Sequence, residues 1–494
     1  MFDKKNQSLT AGDGCLVAQA GRDAIINVGY TASDIEGIVK VSLDAFKSGF
    51  EAQMETLKGD KLFVEQQLKE AIKALALKSM DVNESSASRS KYEQALELIK
   101  EGNTSEAELL FLDIERAEQN NIESSGQKIV EAALHRGALA FMRDTSSSMS
   151  AFEKVLELEP ENFIAKAHLA RLLMRVGKYV KSENLYLQIL NAAKANKQYE
   201  WVASAYHALG QVSFCKGELE KSLDMQIRAM KILQEMGDLS GVSSVLLEIA
   251  NVHVGQEDFS PAKKIIEKLI KLAVELDDDG LMARGNAIKG VMYSKLNLYA
   301  IAEESLLLSL KFYEKTENLE GMAEAYGNLG VLYKHKSDFV LAEKMYTMSL
   351  EIEVKLSRKR GIVSDLVNIA NLHNQKGESD LALKRCLEAH DVAVELKSNT
   401  THAAVYASLG GIYFNREEFS LAKENYEISC AFEKAAGNFF GEAKQLVNLS
   451  AVLFSLGTKK QALICLKKAK SISKKYKHIK LNKQLNEQIE KFGC

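Results

Sequence analysis

The apolar and polar positions of this chain repeat every forty residues from Glu161 onward. Triplets ending in an aliphatic and a tiny residue stack in one column: His168-Leu169-Ala170, Ala208-Leu209-Gly210, Glu248-Ile249-Ala250, Asn328-Leu329-Gly330 and Asn368-Ile369-Ala370. Ser408-Leu409-Gly410 and Asn448-Leu449-Ser450 continue it, and Lys289-Gly290 fills the remaining slot. Three positions after the tiny residue stands a bulky one (Leu173, His253, Tyr293, Tyr333, His373, Tyr413, Leu453), with Ser213 as the exception. Twelve after it stands another small one, from Ser182 and Ser222 to Ala422 and Ala462. Eight units hold this register without an insertion.

On a helix, positions i, i+1 and i+4 put a large and a tiny residue on one face, so a neighbouring helix can come close. A second amphipathic run follows each first one, as in Phe339 to Leu350. Gly177, Gly217, Gly377 and Gly457 fall between the two runs, where a left-handed residue ends a helix. Ser260-Pro261 reads as the N-cap and first position of one second helix. Each unit is then an antiparallel helix pair. It cannot bury both apolar faces alone and must stack on its neighbours.

The pattern resembles the tetratricopeptide repeat. Tyr326, Leu329, Gly330 and Tyr333, followed by Ala342, Tyr346 and Ser349, match its motif. The forty-residue length is similar to the variety found in LGN/Pins scaffolds, kinesin light chains and Rap-type peptide receptors. The resemblance implies an all-α, right-handed superhelical solenoid of about ten helix pairs. Lys289, Asp365 and Ser213 depart from the usual columns, and their pairs are expected to pack less well. Two divergent pairs are expected over 88–160, eight regular ones over 161–480, and a C-terminal capping helix over 481–494.

The N-terminal residues read differently. Residues 1–32 carry turn signals around two short extended runs, Cys15–Gln19 and Ala24–Val28, and read as a strand-like or unstructured extension. Ser33-x-x-Glu36 is a capping box that opens an amphipathic helical segment over 33–80. It serves as a cap on the solenoid or, alternatively, as a homo-oligomer contact through residues 1–80.

Composition agrees with an all-helical chain. Only 2 prolines occur in 494 residues, and 46% of residues are hydrophobic. A net charge of −3 gives no pull toward nucleic acid, and the lysine-rich stretch after Thr458 has no arginine and reads as a solvated end cap. No apolar run is long enough for a membrane helix. Six cysteines without a CxxC pair point to a reducing cytoplasm, with Cys215, Cys386, Cys430 and Cys465 as separate core fillers.

Chemistry is hard to find. There is no phosphate-binding glycine loop, nucleophile elbow or HExxH. His253, His373 and His390 occupy core columns, and Asp277-Asp278-Asp279-Gly280 reads as a turn between units, since it lacks calcium-loop spacing. The reading is a non-enzymatic protein or peptide binder with no catalytic residue, cofactor or metal. A regulatory receptor or sensor subunit acting on a separate effector is the alternative.

In the resembled family, ligand-facing positions lie one and four to five residues after the tiny residue and three before it. Carried over, this selects Arg171, Gln211, Asn251 and Asn371, then Arg175, Lys295 and Lys334, then His207. Asn and Gln can donate to and accept from a peptide backbone at once, and Arg and Lys favour an acidic portion of the ligand. The plain alternative for each is a solvated polar residue. Val291, Val331, Gly411 and Ala451 hold the same column further along, so the expected ligand is acidic or polar toward 161–280 and apolar beyond.

Overall fold

The computed structural model describes residues 86–476 apart from 102, 120–125, 142–143, 357 and 397, together with 485–487 and 489. The extension expected over 1–32 and the helical segment over 33–80 lie outside the described residues. Twenty helices and no strand occur among the described ones. They fall into two compact units that part between Pro160 and Glu161.

The first unit holds α1 (Ser86–Lys100), α2 (Thr104–Gln119), α3 (Gly126–Ala140) and α4 (Thr145–Leu158). Tyr92, Phe111 and Phe152 fill its core. The Phe152 ring lies against Gly137, where a Cβ would meet it at 2.8 Å. Arg136 donates two hydrogen bonds to the Glu115 carboxylate, at 2.7 and 3.1 Å, and the pair is buried.

The second unit is the regular array. Its first helices are α5 (Phe163–Arg175), α7 (Tyr199–Cys215), α9 (Leu239–Gln256), α11 (Asp279–Lys295), α13 (Leu319–His335), α15 (Lys359–Gln375), α17 (Asn399–Asn415) and α19 (Phe439–Ser455). The second helices are α6 (Tyr179–Ala195), α8 (Leu219–Met236), α10 (Phe259–Glu275), α12 (Tyr299–Lys315), α14 (Phe339–Lys355), α16 (Ser379–Leu396), α18 (Phe419–Ala436) and α20 (Lys459–Lys475). Beyond α20, Leu485 is wholly buried in a core with Leu446, Leu466 and Ala469, within the expected capping segment.

Local chemistry sets the helix starts. Asp238, Asp278, Asn318 and Asn438 stand forty or a multiple of forty residues apart. Each accepts from the N–H three residues on, at 2.5 to 3.0 Å. The Asp277–Gly280 run is thus a turn and a cap. Ser260-Pro261 is not the expected start: α10 begins at Phe259 after Asp258, so the proline sits inside the first turn. The array's register decides this, because Phe259 takes the column of Leu219, Tyr299 and Phe339. The missing proline N–H is tolerated there, since the first turn has no internal acceptor for it.

The turn within each pair closes in one way. In the first, Lys178 N–H reaches Leu173 O at 2.8 Å around Gly177, whose φ is 72°. Glu257, Asn297, Ser337 and Glu417 occupy the same column, and they too are left-handed, at φ 59° to 61°. A side chain in that conformation costs roughly 1–2 kcal/mol, and glycine returns part of that gain in unfolded-chain entropy. Glu257→Gly, Ser337→Gly and Glu417→Gly are each expected to stabilise the array by about 0.5–1 kcal/mol. Urea unfolding of the single variants checks this, and a loss of stability would contradict it.

Packing between paired helices is notch and plug. A Cβ at Gly330 would lie 2.6 Å from the Tyr346 ring, one at Gly410 2.9 Å from Tyr426, and one at Gly290 2.5 Å from Leu306. The plug therefore comes from the second helix of the same pair. At Gly210 the plug is the buried Gln226, and nearby Ser213 is buried with its hydroxyl unpartnered. Cys386 is wholly buried at a plug position, and burial pushes its thiol up to about 11. Cys430 and Cys465 were expected apart, yet they share one core at the C-terminal end. The cause is that successive second helices bring their inner faces to the same first helix. His390 is half-exposed rather than core, set edge-on to Tyr406 with centroids 5.7 Å apart.

First helices of successive pairs pack on one another, α9 on α11, α11 on α13 and α15 on α17, while second helices pack chiefly on first helices. The first helices therefore line the inside of the curve. That curve returns on itself. Asn399 N–H meets Val176 O at 3.4 Å, and Phe439 N–H meets Lys216 O at 3.1 Å. The Lys216 ammonium lies 5.7 Å over the Phe439 ring, which stacks on Tyr476 at 4.3 Å. Thr400 closes over Gly177, and Ala436 joins the core of the first two pairs. The first two pairs thus touch the elements around α17 and α19, and the inner wall faces a closed coil.

Candidate functional site

The inner wall is built from a narrow arc of each first helix. At 3.6 residues per turn, positions six and three before the tiny residue and one, four and five after it lie within about 100° of each other. All eight residues expected at the site lie on this arc. They differ in what they already hold.

Arg171 and Arg175 are partly buried, and both have partners inside the protein. Burial and then the Arg171 charge push His168 down to about 3, which leaves its imidazole neutral. His207 and Gln211 belong to a chain of hydrogen bonds. His207 Nδ1 lies 2.8 Å from Gln226 Oε1, and Gln211 Nε2 lies 3.3 Å from His207 Nε2. Gln211 Nε2 also reaches Glu248 Oε1 at 3.5 Å, on the next first helix. The amide nitrogen can only donate, so the imidazole carries its proton on Nδ1 and gives it to Gln226. These two residues tie neighbouring helices together and leave less capacity for a ligand.

The asparagines differ. Asn251 is half-buried, and its side chain makes no hydrogen bond among the described residues. Asn371 accepts from Ser408 Oγ at 2.9 Å and keeps both amide protons. Asn374 and Asn415, not expected from the sequence, join across α15 and α17 at 3.1 Å. Lys295 is exposed and Lys334 half-buried, and neither forms an ion pair among the described residues.

The structure adds two groups to those selected from the sequence, Lys444 outside the column rule and His335 on one of its columns but not selected. Lys444 lies six residues before Ser450, a position on the same arc. His335 sits beside Lys334 at the end of α13, with Ser294 Oγ 3.4 Å from its Nδ1. Extending the rule one turn toward the helix start would have found Lys444. Burial pushes the Lys334 ammonium below the usual lysine range, and the Lys444 charge adds to this. Burial, then Lys334 and Lys295, push His335 down. Among the described residues, no group of three or more His, Cys, Asp or Glu is placed to hold a metal. No described helix is long and apolar enough to cross a membrane.

A closed stack of antiparallel helix pairs with a polar inner wall defines a helical-repeat scaffold. Residues 163–235 match the model of the tetratricopeptide-repeat family, and the same forty-residue register continues through the eight pairs. No match was found among the curated proteins. A Rap protein solved with competence and sporulation factor is similar in structure, with 13% identity, TM-score 0.48, and coverage of 79% of this chain and 98% of its own. NprR solved with its cognate peptide NprX has 17% identity, TM-score 0.39, and coverage of 56% and 82%. BtubC from P. vanneervenii has 18% identity, TM-score 0.36, and coverage of 45% and 90%. These likenesses concern the helical-repeat fold alone.

Proposed function

We propose that the second unit is a protein-binding scaffold whose inner wall grips an extended peptide segment, acting as an adaptor or as the receptor part of a regulatory system. The observation that carries this reading is the unspent amide capacity on one arc, at Asn251, Asn371 and Asn374. Side-chain amides both donate and accept, which is what an extended backbone needs along its length. The closed coil favours a threaded chain over a folded globular face, because its inner wall is reached only from within the curve. No reacting constellation competes with this use of the wall. The adaptor acts in the cytoplasm on this reading, which suits four free cysteines held in or near the core.

The test is selection of short linear peptides from a random library on the full chain, followed by affinity measurement. Asn251→Ala with Asn371→Ala is expected to weaken the selected peptides about tenfold, from hydrogen bonds worth roughly 0.5–1.5 kcal/mol each. Lys311→Ala, on the exposed outer face of α12, should leave them unchanged. Equal loss from both variants, or none from the first, overturns the reading.

A further inference from the structure

Two glycines stand together inside α17, and packing requires only the first of them. A Cβ at Gly410 would lie 2.9 Å from the Tyr426 ring, so no larger residue fits there without displacing the plug. A Cβ at Gly411 would meet only Tyr426 Oη at 3.4 Å and Asn374 Nδ2 at 3.9 Å, which are ordinary contacts. Glycine inside a helix is less stable than alanine. A residue that weakens its helix without a packing reason is the kind of departure expected where a ligand binds. The Tyr426 ring lies across both glycines, with its base at Gly410 and its hydroxyl beside Gly411.

The other tyrosine plugs show what is different here. Tyr186 Oη donates to Ala167 O at 3.4 Å, and Arg171 occupies the position of Gly411 in that pair. Tyr346 is wholly buried with its hydroxyl sealed, and Val331 occupies the position. Tyr426 keeps 7% exposure, and its hydroxyl makes no hydrogen bond among the described residues. Burial alone raises this phenol to about 12, so it stays protonated and can donate. Asn374 uses its Oδ1 to accept from Asn415 Nδ2 at 3.1 Å and keeps both amide protons. Of the eight pairs, only the seventh sets a tyrosine plug beside a glycine on the inner arc.

We propose that Gly411, Tyr426 Oη and Asn374 Nδ2 form a specificity notch that receives a serine or threonine hydroxyl of the bound peptide. This rests on the peptide-binding reading above and deepens it. The missing side chain at Gly411 leaves a recess with donors on two sides. A hydroxyl accepts from Asn374 Nδ2 and shares a second bond with Tyr426 Oη, since both oxygens can donate and accept. A backbone carbonyl projects only about 1.2 Å from its chain, too little to fill a recess one side chain deep. A short hydroxyl side chain fills it and leaves no buried polar group unpaired. From the sequence this column reads as apolar at Gly411, because the hydroxyl that makes it polar comes from the helix behind.

The experiment uses the full chain and the peptides selected on it, each remade with serine changed to alanine and threonine to valine, one position at a time. One such change is expected to weaken a peptide about fivefold, on the order of one hydrogen bond. Tyr426→Phe removes only the hydroxyl and should keep the melting temperature of the parent chain. It should weaken the unmodified peptide about fivefold and leave the peptide lacking that hydroxyl unaffected, the coupling a double-mutant cycle measures. Gly411→Ala fills the recess with a residue the helix prefers. It should weaken the unmodified peptide at an equal or higher melting temperature, a combination that a purely structural role would not produce. Tyr346→Phe, the same deletion at a sealed plug, should change no affinity. Selected peptides that Tyr426→Phe leaves unchanged, or weakens equally with and without their hydroxyls, overturn the notch and leave peptide binding standing. If no peptide is enriched at all, both fall.

Discussion

Gly330→Leu is expected to lower stability by about 3 kcal/mol, the upper part of the usual range for overpacking a filled core. The Tyr346 ring already lies where the first added carbon would go, and both residues are fully or almost fully buried. The ring cannot retreat, because it lies between α13 and α14 within a core that continues to Leu329, Leu332 and Ile369. Alanine is a weaker test, since Ala170 stands opposite Tyr186 in the first pair and is accommodated. In a repeat array the damage should be local. Amide hydrogen exchange should show lost protection in α13, α14 and their neighbours and little change in α5 or α20. A second change, Tyr346→Ala, should restore part of the loss by emptying the plug. Unchanged protection in α13 and α14 would remove the notch-and-plug account.

Asp365 is expected to make the array less stable as pH rises. Burial pushes its carboxyl up from 3.8 to about 7, despite the hydrogen bond from Ser349. Ser349 Oγ lies 2.7 Å from Asp365 Oδ2 and 2.9 Å from Ala323 O, yet its hydroxyl has one proton. A protonated Asp365 resolves this by donating to Ser349, which then donates to Ala323 O. Glu353 and Arg358 are the other charges bearing on the group. The folded-state pKa is above the unfolded one, so folding takes up a proton between 3.8 and about 7. Stability is therefore highest below 3.8 as far as this group is concerned, and it falls as pH rises through the window to about 7. The loss is on the order of 2–4 kcal/mol when complete, at about 1.4 kcal/mol per pKa unit. Glu433, raised by burial to about 7, adds a fall of the same sign. Asp365→Asn supplies a permanent donor to Ser349. It should raise the melting temperature above pH 7 and flatten the profile below it. A steeper profile in Asp365→Asn would contradict the assignment.

The helix pairs, their register and the glycine turns were legible in the sequence because the forty-residue period repeats one solution eight times. The plug residues were harder to assign. Tyr346 and Tyr333 are equally bulky, and only the packing reveals that the second-helix ring fills the glycine notch. The left-handed Glu257 and Glu417 were hidden because their residue type argues against that conformation, and the array imposes it. The return of the coil depends on small per-pair rotations that add over many units, which no local pattern states. At the site, columns located the arc but not who was already engaged on it. His207 and Gln211 look like Asn251 by position, and only the bonds to Gln226 and Glu248 distinguish them.

The most direct test of the central claim places a photo-crosslinking amino acid at Asn371 on the inner arc, or at Glu351 on the outer face of α14, in the full chain with a selected peptide bound. The account predicts a peptide adduct from position 371 and none from 351. Adducts from 351 with none from 371 would contradict it.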